Sequence, residues 1–153
     1  MPLGKPPAHP RRDLAALIVP LGRTLMAAEQ PILQRHGIAM WAYAVLLALD
    51  SGDEPVRTQA ALAQAIGADK TRIISVLDDL QERGLIRREP DPEDRRARVL
   101  AITPSGRKLR HAVQTEIQAQ EERALARLPA HDRAAFLRTL ETLTDMEPAE
   151  WQR

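Results

Sequence analysis

The chain has 153 residues, of which 44% are apolar, and carries 22 basic residues against 21 acidic ones. That length is one domain, or one protomer of a small oligomer, and a chain of this size buries roughly 68–70% of its unfolded surface. With no cysteine, disulfides, thiolate metal sites and thiol catalysis are excluded, and with no apolar run of spanning length a cytoplasmic protein without membrane contact is expected.

Residues 1–12 read as a disordered arm, since four of the twelve prolines fall in the first ten residues and no apolar period is present. From Asp13, Leu14, Leu17, Ile18, Leu21 and Leu25 follow helical spacing. Pro20 predicts a kink or restart within this helix, and Pro31 and Gly37 predict its break-up. A second helix over Trp41 to Leu49 is apolar nearly all round, which marks it as central, and the turn chemistry of Ser51 to Pro55 ends it.

Thr58 is placed to cap a short helix ending near Ile66, and Asp69 to cap a longer one running to about Arg83. Two helices joined by the Gly67–Ala68 turn make a helix-turn-helix. Gly84 stops the second helix. Strand LIRRE, an eight-residue loop over 90–97 and strand RVLAIT then predict a hairpin wing. Thr103 caps a long helix with Pro104 at its first position and a stripe of Leu109, Val113, Ile117, Ala124 and Leu128. After Pro129, a last helix from about Asp132 to Met146 is expected to bury Phe136, Leu137, Leu140 and Leu143. The predicted fold is mainly α with a small β-hairpin wing. A winged helix-turn-helix core over 38–103 is flanked by dimerisation helices over 13–37 and 104–153. The outer apolar stripes exceed what so small a core covers, which is the argument for a homodimer.

Charge is distributed unevenly. Residues 83–110 hold nine basic and four acidic side chains, and the segments on either side are net acidic. Only four aromatic residues are present (Trp41, Tyr43, Phe136, Trp151), too few for a platform that stacks single-stranded bases, which leaves double-stranded DNA, read through phosphates and groove edges, open as a partner. In the helix after Asp69, Ile73, Ile74, Val76, Leu77 and Leu80 gather on one side and Thr71, Arg72, Ser75, Asp78, Asp79 and Glu82 on the other. Three carboxylates in the second half of that polar face repel phosphate, so the first half is expected to enter the groove. Arg72 has the donors for a bidentate contact to guanine, Thr71 and Ser75 reach base edges or phosphates, and Lys70 suits phosphate. In the wing, Arg95, Arg96 and Arg98 suit a narrow minor groove, with Asp94 spaced to hold Arg96 in one rotamer. Ordinary solvated surface is the competing reading for both segments.

At LAQAIG (62–67), VLDDLQERGLIRR (76–88), DPEDRRA (91–97) and LAITPSG (100–106), with HGIAMWAYAVLLAL (36–49) before them, the chain resembles the MarR family of bacterial winged-helix regulators. The resemblance implies an obligate homodimer with intertwined terminal helices, bound to a palindromic operator. It implies repression relieved by a small aromatic or anionic ligand held between the dimerisation helices and the winged domain. Thr71, Arg72 and Ser75 fall where the family reads the major groove, Arg96 on its wing-tip arginine and Asp94 on the carboxylate that braces it. Arg72 stands where a small hydroxyl residue is common, so the operator is expected to differ. His36, Trp41 and Tyr43 lie at the junction where the family's pocket would lie, with Arg23 as counter-ion, though such residues more often serve as core and surface filling. No metal-spaced histidine cluster, phosphate loop or nucleophile elbow is present, so neither an enzyme nor a cofactor is expected. A ligand-independent architectural or replication-type DNA-binding protein and a protein–protein module are the rival readings.

Overall fold

The structure is a computed structural model that describes residues 11–51 and 58–153. The arm expected over 1–12, apart from Arg11 and Arg12, lies outside the described residues, as does most of the turn after Ser51. The chain divides into two units, residues 1–113 and 114–153.

The first unit begins with α1 (Leu14–Arg35), which runs through both Pro20 and Pro31. The expected break at Pro31 is therefore incorrect. A proline inside a helix removes one donor and crowds the carbonyl four residues back, but Ile32 and Leu33, next in sequence, are almost fully buried and hold the last turn in place. The helix ends at His36, and Gly37 follows at φ +65°, where its N–H donates to the Gln34 carbonyl. Leu14, Leu17, Ile18, Leu21 and Leu25 remain exposed along α1.

Next come α2 (Met40–Asp50), α3 (Gln59–Ile66) and α4 (Lys70–Glu82). Val45 and Leu46 of α2 are fully buried, and the helix packs against both α3 and α4, as its all-round apolar pattern predicts. The Thr58 hydroxyl accepts the Ala61 N–H at 3.1 Å to start α3. Gly67, at φ +70°, ends that helix in a conformation that side-chain-bearing residues rarely adopt.

Strands β1 (Ile86–Pro90) and β2 (Arg98–Ile102) pair antiparallel, with Ile86 opposite Ile102 and Pro90 opposite Arg98. Pro90 thus joins the ladder opposite Arg98, which shortens the expected eight-residue loop to residues 91–97. Proline is tolerated because both strands of a two-stranded sheet are edges.

Helix α5 (Pro104–Leu125) opens at a junction built by Thr103. The Thr103 hydroxyl accepts the Gly106 N–H at 3.1 Å and donates to the Gly84 carbonyl at 2.6 Å, and its N–H donates to the Leu85 carbonyl at 3.1 Å. Farther along, Arg107 Nε donates to Asp50 Oδ1 at 3.0 Å, and the Arg110 guanidinium lies against the other oxygen of the same carboxylate. The hydrogen bond from Arg107 and the ion pair with Arg110 tie α5 to the end of α2.

In the second unit, Ile117 of α5 is buried, whereas Ala124 is exposed. Leu128, placed by the sequence on the same stripe, lies past the end of α5 and is exposed. Helix α6 (Ala130–Asp145) has no buried residue: Phe136, Leu137 and Leu140 stand 38–42% exposed and Leu143 is half-buried. The burial expected of these four is therefore not found within one chain. A short 3-10 helix (Pro148–Gln152) follows.

Candidate nucleic-acid interface

Three contacts orient α4. Its buried face, Ile73, Leu77 and Leu80, seats the helix on the core. Asp69 Oδ1 accepts the Arg72 N–H at 2.7 Å, satisfying one of the free donors of the first turn. The Ser75 hydroxyl donates to the Arg72 carbonyl at 3.0 Å. Lys70, Thr71, Arg72 and Ser75 are all exposed at this end of the helix. Val76 is half-buried, but Ile74 is 46% exposed and does not join the core as expected. At 100° per residue it stands a quarter-turn from Ile73, on the border of the buried face.

The acidic half of the same helix differs from its reading as three bare carboxylates. Asp78 accepts from Arg88 Nη2 at 2.9 Å, and Arg88 also donates to Gln81. Asp79 lies 3.6 Å from the Arg83 guanidinium, one helical turn on. The hairpin thus returns an arginine onto α4, and two of the three negative charges are met locally. Apart from the Asp69 cap, the N-terminal end of α4 carries no carboxylate, and the helix dipole adds positive potential there.

The loop of the hairpin holds its shape through its own backbone. Asp91 N–H donates to the Ala97 carbonyl at 3.1 Å, Asp91 Oδ1 accepts the Glu93 N–H at 2.9 Å, and Ala97 N–H donates to the Asp94 carbonyl at 3.0 Å. Asp94 Oδ1 accepts the backbone N–H of Arg96 at 3.0 Å. The brace from Asp94 therefore acts on the main chain of Arg96, and its expected hold on the guanidinium is corrected: an Asx-type bond two residues on is shorter-ranged than a side-chain ion pair. Arg95 and Arg96 are exposed in the loop, and Arg98 is exposed at the start of β2 rather than within the loop.

Of the four residues read as a ligand site, Arg23 is exposed on α1, His36 is half-buried at its C-terminus, Trp41 is half-buried in the first turn of α2, and Tyr43 is buried. Two surface clefts are described. One, of about 310 Å³, is lined by Asp78, Gln81, Glu82 and Arg88. The other, of about 340 Å³, lies between the hairpin, Leu49 and Arg107. None of those four residues lines either cleft. Trp41 instead meets a residue of α4, for the Arg72 guanidinium carbon lies over its ring, 5.5 Å from the centroid. Sequence reading missed this contact, the return of Arg88 onto Asp78 and the pairing of Asp50 with two arginines. All three join residues at least ten positions apart.

Among the described residues, no three of His, Asp or Glu gather in a way that would hold a metal ion, and no single helix is long and apolar enough to cross a membrane.

A family model described as MarR family matches residues 36–97. A candidate transcriptional regulatory protein for the hcr operon of Thauera aromatica is 30% identical over 135 residues, covering 88% of this chain and 76% of that protein. Among solved structures, CouR of Rhodococcus jostii RHA1 bound to p-coumaroyl-CoA superimposes with a TM-score of 0.71 at 29% identity, covering 88% of this chain and 94% of CouR. A MarR-family transcriptional regulator of Rhodococcus sp. RHA1 gives 0.73 at 27% identity, covering 88% and 97%.

Proposed function

The chain belongs to the MarR family of transcriptional regulators, and from that premise we propose that it acts as a homodimer on a palindromic double-stranded operator, as a repressor released by a small aromatic or anionic ligand. The observation that carries this reading is the division of the exposed face of α4. Lys70, Thr71, Arg72 and Ser75 present donors at the positive end of the helix, while Asp78 and Asp79 beyond them are turned toward Arg88 and Arg83. Phosphate meets the first half favourably, and Arg72 is the side chain suited to a guanine edge. Arg95, Arg96 and Arg98 of the wing reach the adjoining minor groove, with Asp94 shaping the loop that carries them.

The uncovered apolar faces of α1 and α6 support pairing with a second copy, residues 13–37 and 104–153 being the dimerisation segments. A twofold dimer spaces its recognition helices about 34–36 Å apart, one turn of the duplex. Ligand release is supported by CouR, whose structure holds p-coumaroyl-CoA. On this chain, Arg23, His36, Trp41 and Tyr43 are proposed for the ligand from their position relative to the family's pocket.

The test is a footprint on the DNA upstream of the protein's own gene at low salt, repeated with small aromatic acids and their thioesters. Protection that is lost with ligand supports the whole reading. Protection indifferent to every ligand supports an architectural role, and absence of protection rejects DNA binding.

A further inference from the structure

We propose that Trp41 is a positioning residue for base recognition: its ring holds the Arg72 guanidinium in one direction at the groove-facing end of α4, and so sets how sharply one operator base pair is read. This rests on the proposed reading of DNA by α4.

Arg72 is constrained at three points. Asp69 takes its N–H at 2.7 Å and the Ser75 hydroxyl meets its carbonyl at 3.0 Å, which fixes the backbone and the direction in which the side chain leaves it. Beyond Cβ the chain still rotates about several bonds, and an exposed arginine otherwise samples many of them. The third contact, with Trp41 at 5.5 Å, acts on the guanidinium itself. Among the described residues no carboxylate forms an ion pair with the Arg72 guanidinium. That distinction matters chemically. A carboxylate would cancel the charge and occupy the N–H fork, whereas a ring attracts the cation through its quadrupole and leaves the N–H groups for a base edge. Trp41 suits this role because it is half-buried in the first turn of α2, a helix whose Val45 and Leu46 are anchored in the core and which packs against α4. The ring is a fixed wall, and the arginine is the mobile group it steadies.

The experiment measures binding of the full-length protein to an operator duplex selected from random DNA and to duplexes altered at each base pair. In Trp41→Leu, discrimination at the base pair read by Arg72 is expected to fall about 2- to 5-fold, the size of an exposed cation–π contact. Affinity for unrelated DNA and the salt slope stay unchanged, because no charge is lost. Trp41→Phe, which keeps a ring, restores most of the discrimination. In an Arg72→Ala background, Trp41→Leu has no further effect at that base pair. If Arg72→Ala loses the preference but Trp41→Leu keeps it, the positioning role is overturned and the base reading stands. If Arg72→Ala matches the parent protein at every base pair, base reading by Arg72 falls and the inference with it. Should Trp41→Leu fail to fold, the Trp151→Phe protein decides, since Trp41 is then its one fluorophore of this type. Its emission is expected to change on adding Arg72→Ala and on binding operator duplex; emission indifferent to both overturns the proposal.

Discussion

Gly106 lies against the backbone of Leu85: a methyl group on its Cα would overlap the Leu85 carbonyl oxygen and come within 2.7 Å of Ile102 Cγ1. That carbonyl already accepts the Thr103 N–H, so it is held in place. Neither neighbour is the free end of a flexible side chain. Gly106→Ala is expected to destabilise the fold by about 1–3 kcal/mol, the range for overpacking a fitted contact. Urea unfolding should show a lower midpoint with the slope unchanged. A midpoint equal to that of the parent protein would mean that the junction yields without cost.

Arg96, exposed in the wing loop with its backbone held by Asp94, is expected to act on DNA through charge. Arg96→Ala should weaken binding to all sequences alike and lower the salt slope by about one unit. Titration of operator and unrelated duplexes over a salt series measures both. An unchanged slope with weaker binding to the operator alone would assign Arg96 to base reading instead.

The exposed stripe of α1 gives the proposed dimer its own test. Leu21 and Leu25, both exposed, lie one turn apart. Replacing both by glutamate puts two charges where a partner helix would have to bury them, which costs far more than the lost apolar contact. Sedimentation should find the parent protein dimeric and the double variant monomeric, with operator affinity lost in parallel. A variant that still dimerises would place the interface elsewhere.

Burial, with help from the neighbouring Glu122 carboxylate, raises the Glu121 carboxyl above its ordinary range. The folded chain therefore keeps this proton to higher pH than the unfolded chain does, and stability falls as pH rises through the interval between the two values. Glu121→Gln, neutral at every pH, should be more heat-stable than the parent protein at about pH 7 and lose that advantage at about pH 4. The same advantage at both values would trace the effect to something other than ionisation.

What the sequence disclosed and what it withheld divide along one physical line. Caps are local chemistry: Thr58, Asp69 and Thr103 each meet an N–H three residues on, so the starts of α3, α4 and α5 were legible from residue type and spacing. The α1 break was misread because proline is a local signal, and the buried pair Ile32 and Leu33 that outweighs it is a tertiary one. The apolar stripe of α6 was visible, but a stripe does not say whether its cover comes from the same chain. Within the candidate site, the exposed donors of α4 could be named, yet the Trp41 ring over Arg72 could not, because 31 positions separate the two residues and only the packing of α2 on α4 joins them.

The trio of Asp50, Arg107 and Arg110 has an unequal tolerance for change. Its carboxylate ends α2, where the helix dipole alone disfavours a negative charge, and the two guanidinium groups offset that. Losing either arginine leaves the acid one cation still at hand. Losing the acid removes the group that both arginines meet, so the hold of α5 on α2 tolerates replacement of one arginine better than replacement of the aspartate.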